Sequence, residues 1–208
     1  MNKKIPMTFL VVALCVGAVL ALRVLKQSPE EILKARNAER SLGSEKAPIW
    51  ITEYFDYQCP PCANARVTLE KTMAELPGQI YLQARFFPLP AHKNGMKAAI
   101  FAECASHQKG KFWKFHEEMF DHQNDWATDV YATFKFTSYA ESAGLDLKKL
   151  EACVQDPETE KSVAEEKKKA EALGVVMTPS FYVNGKLTVG VTALAAEIKA
   201  AGDKGKAS

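Results

Sequence analysis

The sequence has almost no net charge. Its 27 Lys and Arg nearly balance 25 Asp and Glu, for a formal net charge of +2. That balance gives no electrostatic argument for nucleic acid or for a strongly acidic partner. Cysteine is scarce: of the five, at positions 15, 59, 62, 104 and 153, one lies in a leading apolar run, leaving an even four for the folded part. The four histidines (92, 107, 116, 122) show no metal-ligand grouping beyond His116 and His122, which read as surface or core-satisfied side chains. Cys104 and Cys153 lack a short paired spacing, which disfavours a zinc site built from all four cysteines. No cofactor and no metal is expected. Internal repeats and long low-complexity linkers are absent too, so the 208 residues, 47% hydrophobic and 25% charged, suit one globular domain with an insertion.

Long hydrophobic runs are limited to one. Met1-Asn2-Lys3-Lys4 precedes an apolar run from Ile5 to Leu22, ended by Arg23. Without a polar face this run is not a soluble helix; positive residues followed by such a run signal export across the inner membrane. Residues 1–26 are therefore a signal peptide or a membrane anchor. The best cleavage site, Val19-Leu20-Ala21, is poor because Arg23 and Lys26 follow it, which favours the anchor. Either way the bulk of the protein is expected on the periplasmic side of the cell envelope, where disulfides persist.

What is present centres on Cys59-Pro60-Pro61-Cys62. Ile49 to Phe55 is rich in β-branched and aromatic residues and reads as a buried strand. A helical pattern runs from Ala63 to Leu76, and Ile80 to Phe87 reads as a second strand. Two cysteines two residues apart at a helix start can close a small disulfide ring, or present one thiolate, favoured by the helix N-terminus, with a second thiol to resolve a mixed disulfide. The same spacing also serves as half of a zinc site, but the β-α-β context favours redox.

Ahead of the motif, Ser28-Pro29-Glu30-Glu31 is a helix-start signature, predicting a helix to about Ser41 within a spacer over 27–45. That helix packs on the domain, acts as a stalk, or joins copies of the chain through residues 28–42. Beyond the motif, residues from about 92 to 173 read as a helical insertion: Lys93–His107, Lys111–Gln123, short helices from about Ser138, and a charged helix from Asp156 to Leu173. The Phe112, Trp113, Phe115, Met119, Phe120 stripe has the spacing of a core-packing face. Strands resume at Pro179–Val183 and Lys186–Gly190 around an Asn184-Gly185 hairpin turn. Thr192 is placed to cap a last helix through Ala201, before a flexible polar tail over 202–208.

Several separated blocks then carry a resemblance: Glu53 to Cys62, Phe86-Phe87-Pro88-Leu89, Ala102-Glu103-Cys104, Gly110-Lys111-Phe112-Trp113 with His116, and Gly174 to Gly185. Over about Lys46 to Ala201 the chain resembles the DsbA-like branch of the thioredoxin superfamily of thiol:disulfide oxidoreductases. The resemblance implies an α/β thioredoxin fold with a helical insertion domain, and catalysis by Cys59 and Cys62 on cysteine-containing protein substrates with a membrane or envelope redox partner. It implies a cis Thr178–Pro179 peptide facing the cysteines, where a substrate chain docks beside Pro60 and Pro61. Glu53 matches the family's buried acid, which can relay a proton for Cys62; a solvated edge position is the alternative, and Arg85 on the next strand is a candidate partner. Cys104 and Cys153 in the insertion either bond to each other or remain two buried thiols. Bonding would close a loop of about fifty residues, worth on the order of 4 kcal/mol.

Two departures bear on direction. The Pro-Pro dipeptide has no histidine and no N–H to offer a Cys59 thiolate, which predicts a less depressed Cys59 pKa than in the strongest oxidases. Thr178 stands where those enzymes carry an aliphatic residue, as in isomerase-type relatives. An oxidase is the favoured reading, an isomerase or reductase follows, and a thioredoxin-fold chaperone or copper-binding module is the reading from another class. No Met/His cluster accompanies the cysteines to support copper.

Overall fold

The computed structural model describes residues 28–35 and 37–206, in two units divided after Ala35. The leader over 1–26 and the last two residues lie outside the described residues. Among the described residues, no helix is long and apolar enough to cross a membrane.

In the first unit, helix α1 (Pro29–Lys34) is capped as expected. Ser28 Oγ accepts the Glu31 N–H, and the Glu31 carboxylate accepts the Ser28 N–H at 2.7 Å. The helix does not reach Ser41. Ala35 is already extended, and Asn37 caps a separate 3-10 turn over Ala38–Arg40. The two-residue strand β1 (Ser41–Leu42) follows, so the expected spacer supplies a sheet edge. The physical reason lies far along the chain: Arg40 is buried against Glu166, and β1 fills hydrogen bonds on the open edge of β3.

The second unit is built on a five-stranded mixed sheet in the order β1-β3-β2-β4-β5. Strands β2 (Ile49–Phe55) and β3 (Ile80–Phe86) are parallel and joined by helix α2 (Pro60–Glu75). Strands β4 (Ser180–Val183) and β5 (Lys186–Val189) form an antiparallel hairpin that pairs with β2. Its turn is Asn184-Gly185 with both φ positive, at 47° and 83°, a conformation these two residues tolerate. Ile49, Ile51, Leu82, Phe181 and Val183 pack against Ala65 and Leu69 of α2 and Leu194 and Ile198 of helix α9 (Val191–Lys206). Tyr54 shows the opposite parity and packs with Ala170 and Val175.

Between β3 and β4 lie α3 (Gly95–Ser106), α4 (Phe112–Asp121), α5 (Gln123–Trp126), α6 (Ala132–Ser142), α7 (Leu147–Gln155) and α8 (Pro157–Ala172). Phe112, Phe115, Met119 and Phe120 are core residues, as their spacing predicts. Helix α6 starts well before Ser138, inside a run of Thr and Phe, because Ala132, Phe136 and Ala140 fall four apart on one buried stripe. Helix α9 also differs at both ends. It begins at Val191, with the Leu194 N–H bonded to the Gly190 carbonyl rather than capped by Thr192, and it runs to Lys206 through the expected flexible tail.

Candidate active site

Helix α2 starts at Pro60, three residues before the expected Ala63, and this places the cysteines on its first turn. Cys59 is the N-cap in extended conformation (φ −80°, ψ 114°), and Pro60 and Pro61 take the next two positions. Helix N–H groups there have no carbonyl to bond, so proline loses nothing. The first N–H the helix offers is that of Cys62, bonded to the Cys59 carbonyl at 3.0 Å. Both cysteines are free thiols; Cys59 is 4% exposed and Cys62 0%. Pro60 and Pro61 are exposed beside them.

The loop before β4 supplies the other wall. Thr178–Pro179 is a cis peptide, and the Cys59 thiol donates to the Thr178 carbonyl at 3.6 Å. Thr178 Oγ1 is buried without a partner of its own. The neutral Cys59 sulfur makes no capping hydrogen bond, yet its surroundings favour the charged form. The Cys62 thiol, the Thr178 side chain and the Cys62 N–H together outweigh burial and the Asp56 charge, and lower the Cys59 pKa from 9.0 to about 6. Cys62 moves the other way, well above its ordinary value, because it is buried and sits beside the Cys59 sulfur. One thiol is thus set to attack or leave as an anion, and the other holds its proton.

Glu53 lies on β2 behind the pair, 3% exposed, and burial alone raises its pKa to about 8. It is close enough for its charge to oppose a thiolate at Cys62. Arg85 is not its partner. The β2–β3 register sets Glu53 against Ala84 and Tyr54 against Arg85, so the arginine faces the other side of the sheet, 3.8 Å from Glu166. Glu53 instead lines a cavity of about 360 Å³ with Arg66, Leu69, Leu82, Trp113 and His116.

Three features of this region are not legible in the motif. His116 is a core side chain, its Nδ1 3.0 Å from the Tyr57 hydroxyl, and burial lowers its pKa to about 3, which keeps it neutral. Asp56 is a buried carboxylate bonded to the chain on both sides of the pair. Gln123 Nε2 donates to the Tyr57 and Cys59 carbonyls at 2.6 and 3.1 Å. The aspartate in the Glu53–Cys62 block was the available signal; nothing local marks Gln123. Cys104 and Cys153 are bonded to each other, S–S 2.06 Å. Among the described residues no His, Cys, Asp and Glu cluster forms a metal site.

The thioredoxin family model matches residues 35–199. The chain belongs to the thioredoxin family. Among curated relatives, a Na(+)/H(+) antiporter NhaA 1 of Mycolicibacterium vanbaalenii is 34% identical over 151 residues, covering 69% of this chain and 23% of the antiporter. The chain thus spans about a quarter of the length of that antiporter. A probable disulfide bond formation protein D of Bacillus cereus is 26% identical over 161 residues, 74% of this chain and 73% of that protein. Among solved structures, α-DsbA1 of Wolbachia pipientis superposes with a TM-score of 0.71 at 22% identity, covering 85% of this chain and 95% of that one. This member of the thioredoxin family therefore shares the DsbA-like arrangement of sheet and inserted helices.

Proposed function

We propose that the chain is an exported thiol:disulfide oxidoreductase that works on cysteine-containing proteins through Cys59 and Cys62, in the direction of substrate oxidation. The carrying observation is the Cys59 sulfur, favoured as a thiolate, beside the Thr178 main chain with a fully covered Cys62 behind it. The relative named as a disulfide bond formation protein and the DsbA-like fold support the reading. The Cys104–Cys153 disulfide fits an oxidising compartment, and so does an export leader over 1–26.

In the oxidising direction the enzyme starts with a Cys59–Cys62 disulfide. A substrate thiolate attacks Cys59 Sγ, the Cys59–Cys62 bond breaks, and the electron pair leaves on Cys62 Sγ. Cys62 holds a proton strongly, and Glu53, neutral up to about pH 8, supplies one in this proposal, which its charge effect on Cys62 supports. A second substrate thiolate then attacks the substrate sulfur of the mixed disulfide and displaces Cys59, whose low pKa makes it a good leaving group. The substrate departs with a disulfide, two electrons poorer, and the enzyme dithiol is reoxidised by an envelope partner. Val176 and Met177, 73% and 50% exposed just before Thr178, offer apolar contact to a substrate chain docking there.

The isomerase or reductase reading is favoured by one specific feature. A Cys59 pKa of about 6 lies between the roughly 3.5 of DsbA and the roughly 7 of thioredoxin. A glutathione redox titration separates these uses. A markedly oxidising potential supports the oxidase, and one near the about −270 mV of thioredoxin overturns it. Cys59→Ser is expected to abolish exchange with the fold intact, and Cys62→Ser to trap mixed disulfides; retained exchange without Cys59 sinks the proposed couple. Sedimentation with and without residues 28–42 tests whether that segment joins copies of the chain.

A further inference from the structure

Asp56 sits between β2 and Cys59 with its side chain fully buried. Its Oδ1 accepts the Gln58 N–H at 2.7 Å, and its Oδ2 accepts the Leu89 N–H at 2.7 Å and contacts His92 Nδ1 at 2.7 Å. Opposite a carboxylate that already receives other donors, the imidazole carries its proton on Nδ1 and donates it. The Asp56 carbonyl in turn accepts the Cys59 N–H at 3.1 Å. Gly95 closes the remaining side: a Cβ there would stand 2.9 Å from both carboxylate oxygens, so only glycine lets α3 begin this close.

A second ring of bonds reinforces the first. Gln58 Oε1 accepts the Asn94 N–H at 2.7 Å, and Asn94 Nδ2 donates to the Trp126 and Asp129 carbonyls at 3.1 and 2.9 Å. One side chain therefore gathers the turn that carries Cys59, the segment after β3 and the start of the helical insertion. The same carboxylate has an electrostatic effect. Its charge opposes a thiolate at Cys59, against the pull of Cys62 and Thr178. Whatever stabilises that thiolate stabilises the reduced enzyme and makes the couple more oxidising.

We propose that Asp56 is a positioning residue of the redox centre: it fixes the turn bearing Cys59 and, balanced by His92, sets the reduction potential of the Cys59/Cys62 couple. This role rests on Cys59 and Cys62 being the working couple. Removing the Asp56 charge relieves the repulsion at Cys59. Removing the His92 donor leaves that charge less compensated and increases the repulsion. The two changes should therefore act in opposite directions.

The test uses the full-length chain and its Asp56→Asn and His92→Leu variants. Thiolate absorbance against pH gives the Cys59 midpoint, and glutathione equilibration gives the redox constant. Asp56→Asn is expected to lower the midpoint and shift the equilibrium towards reduced enzyme by about threefold or more, which is about 14 mV for two electrons. His92→Leu is expected to raise the midpoint and shift the equilibrium the other way. A merely structural role would move both variants together, or change thermal unfolding with the potential unmoved; either result overturns the proposal. Should Asp56→Asn fail to fold, His92→Leu decides alone, and a midpoint that does not rise overturns it. If Cys59 and Cys62 of the unsubstituted chain do not equilibrate with glutathione at all, the proposed couple itself fails, and the Asp56 role falls with it.

Discussion

Cys59 Sγ lies 3.6 Å from the main-chain oxygen of Thr178, a residue 119 positions further along the chain. The contact joins the first turn of α2 to the loop entering β4. It also brings the partnerless Thr178 hydroxyl into the surroundings of the reactive sulfur. The favoured thiolate is therefore a product of two distant segments.

Thr178→Val keeps the shape and removes that hydroxyl. A hydrogen bond to a charged group is worth about 1.5–3 kcal/mol, so the Cys59 pKa is expected to rise from about 6 by about one to two units. Thr178→Ser should restore it. Thiolate absorbance against pH reads the shift, and an unchanged midpoint in the valine variant removes Thr178 from the list of causes.

Glu53 links function to stability. Its pKa is 4.5 when unfolded and about 8 when folded. Between those values the folded chain keeps a proton that the unfolded chain releases, so stability falls as pH rises from about 4.5 to about 8 and then levels. Glu53→Gln should abolish that slope and gain about 3–5 kcal/mol over the unsubstituted chain at pH 8. Urea unfolding of the oxidised form, in which Cys59 does not titrate, is the clean measurement. The same variant should form the mixed disulfide from oxidised enzyme about tenfold more slowly or worse, through loss of the proton donor to Cys62.

Arg40 is 4% exposed and forks onto both oxygens of Glu166, at 3.0 and 2.6 Å, with Glu103 at 3.7 Å and the Phe86 ring 4.5 Å beneath. Arg40→Met leaves two carboxylates without their shared cation, and should destabilise the domain by about 3–5 kcal/mol. Arg40→Lys should recover only part of this, because an ammonium cannot make the fork. Chemical denaturation checks both, and a loss under about 1 kcal/mol for the methionine variant would refute the clasp.

Replacing Cys104 and Cys153 together by alanine removes a cross-link spanning 49 residues. The expected loss is about 4 kcal/mol of stability, with exchange chemistry at Cys59 retained. Comparing thermal unfolding of this variant with the unsubstituted chain avoids reductants, which would also act on Cys59 and Cys62.

The sequence alone determined what depends on neighbours a few residues apart. Richness in β-branched and aromatic residues marked β2, Asn184-Gly185 marked the hairpin, and Ser28 with Glu31 marked the cap of α1. The Cys59–Cys62 spacing is a local pattern with its own chemistry, whereas Glu53 and Thr178–Pro179 were expected only through the resemblance carried by their blocks. What tertiary structure decided depends on groups brought together from afar. Sheet register turned Arg85 away from Glu53, since a one-residue step changes faces. Glu166 drew Arg40 inward, and the buried stripe of Ala132, Phe136 and Ala140 made a helix of a run rich in Thr and Phe. The acidity of Cys59 belongs here too. Its neighbours Pro60 and Pro61 have no N–H to give, so its charge is settled by the Cys62 thiol, the Thr178 side chain and the opposing Asp56 carboxylate, whose balance exists only in the fold.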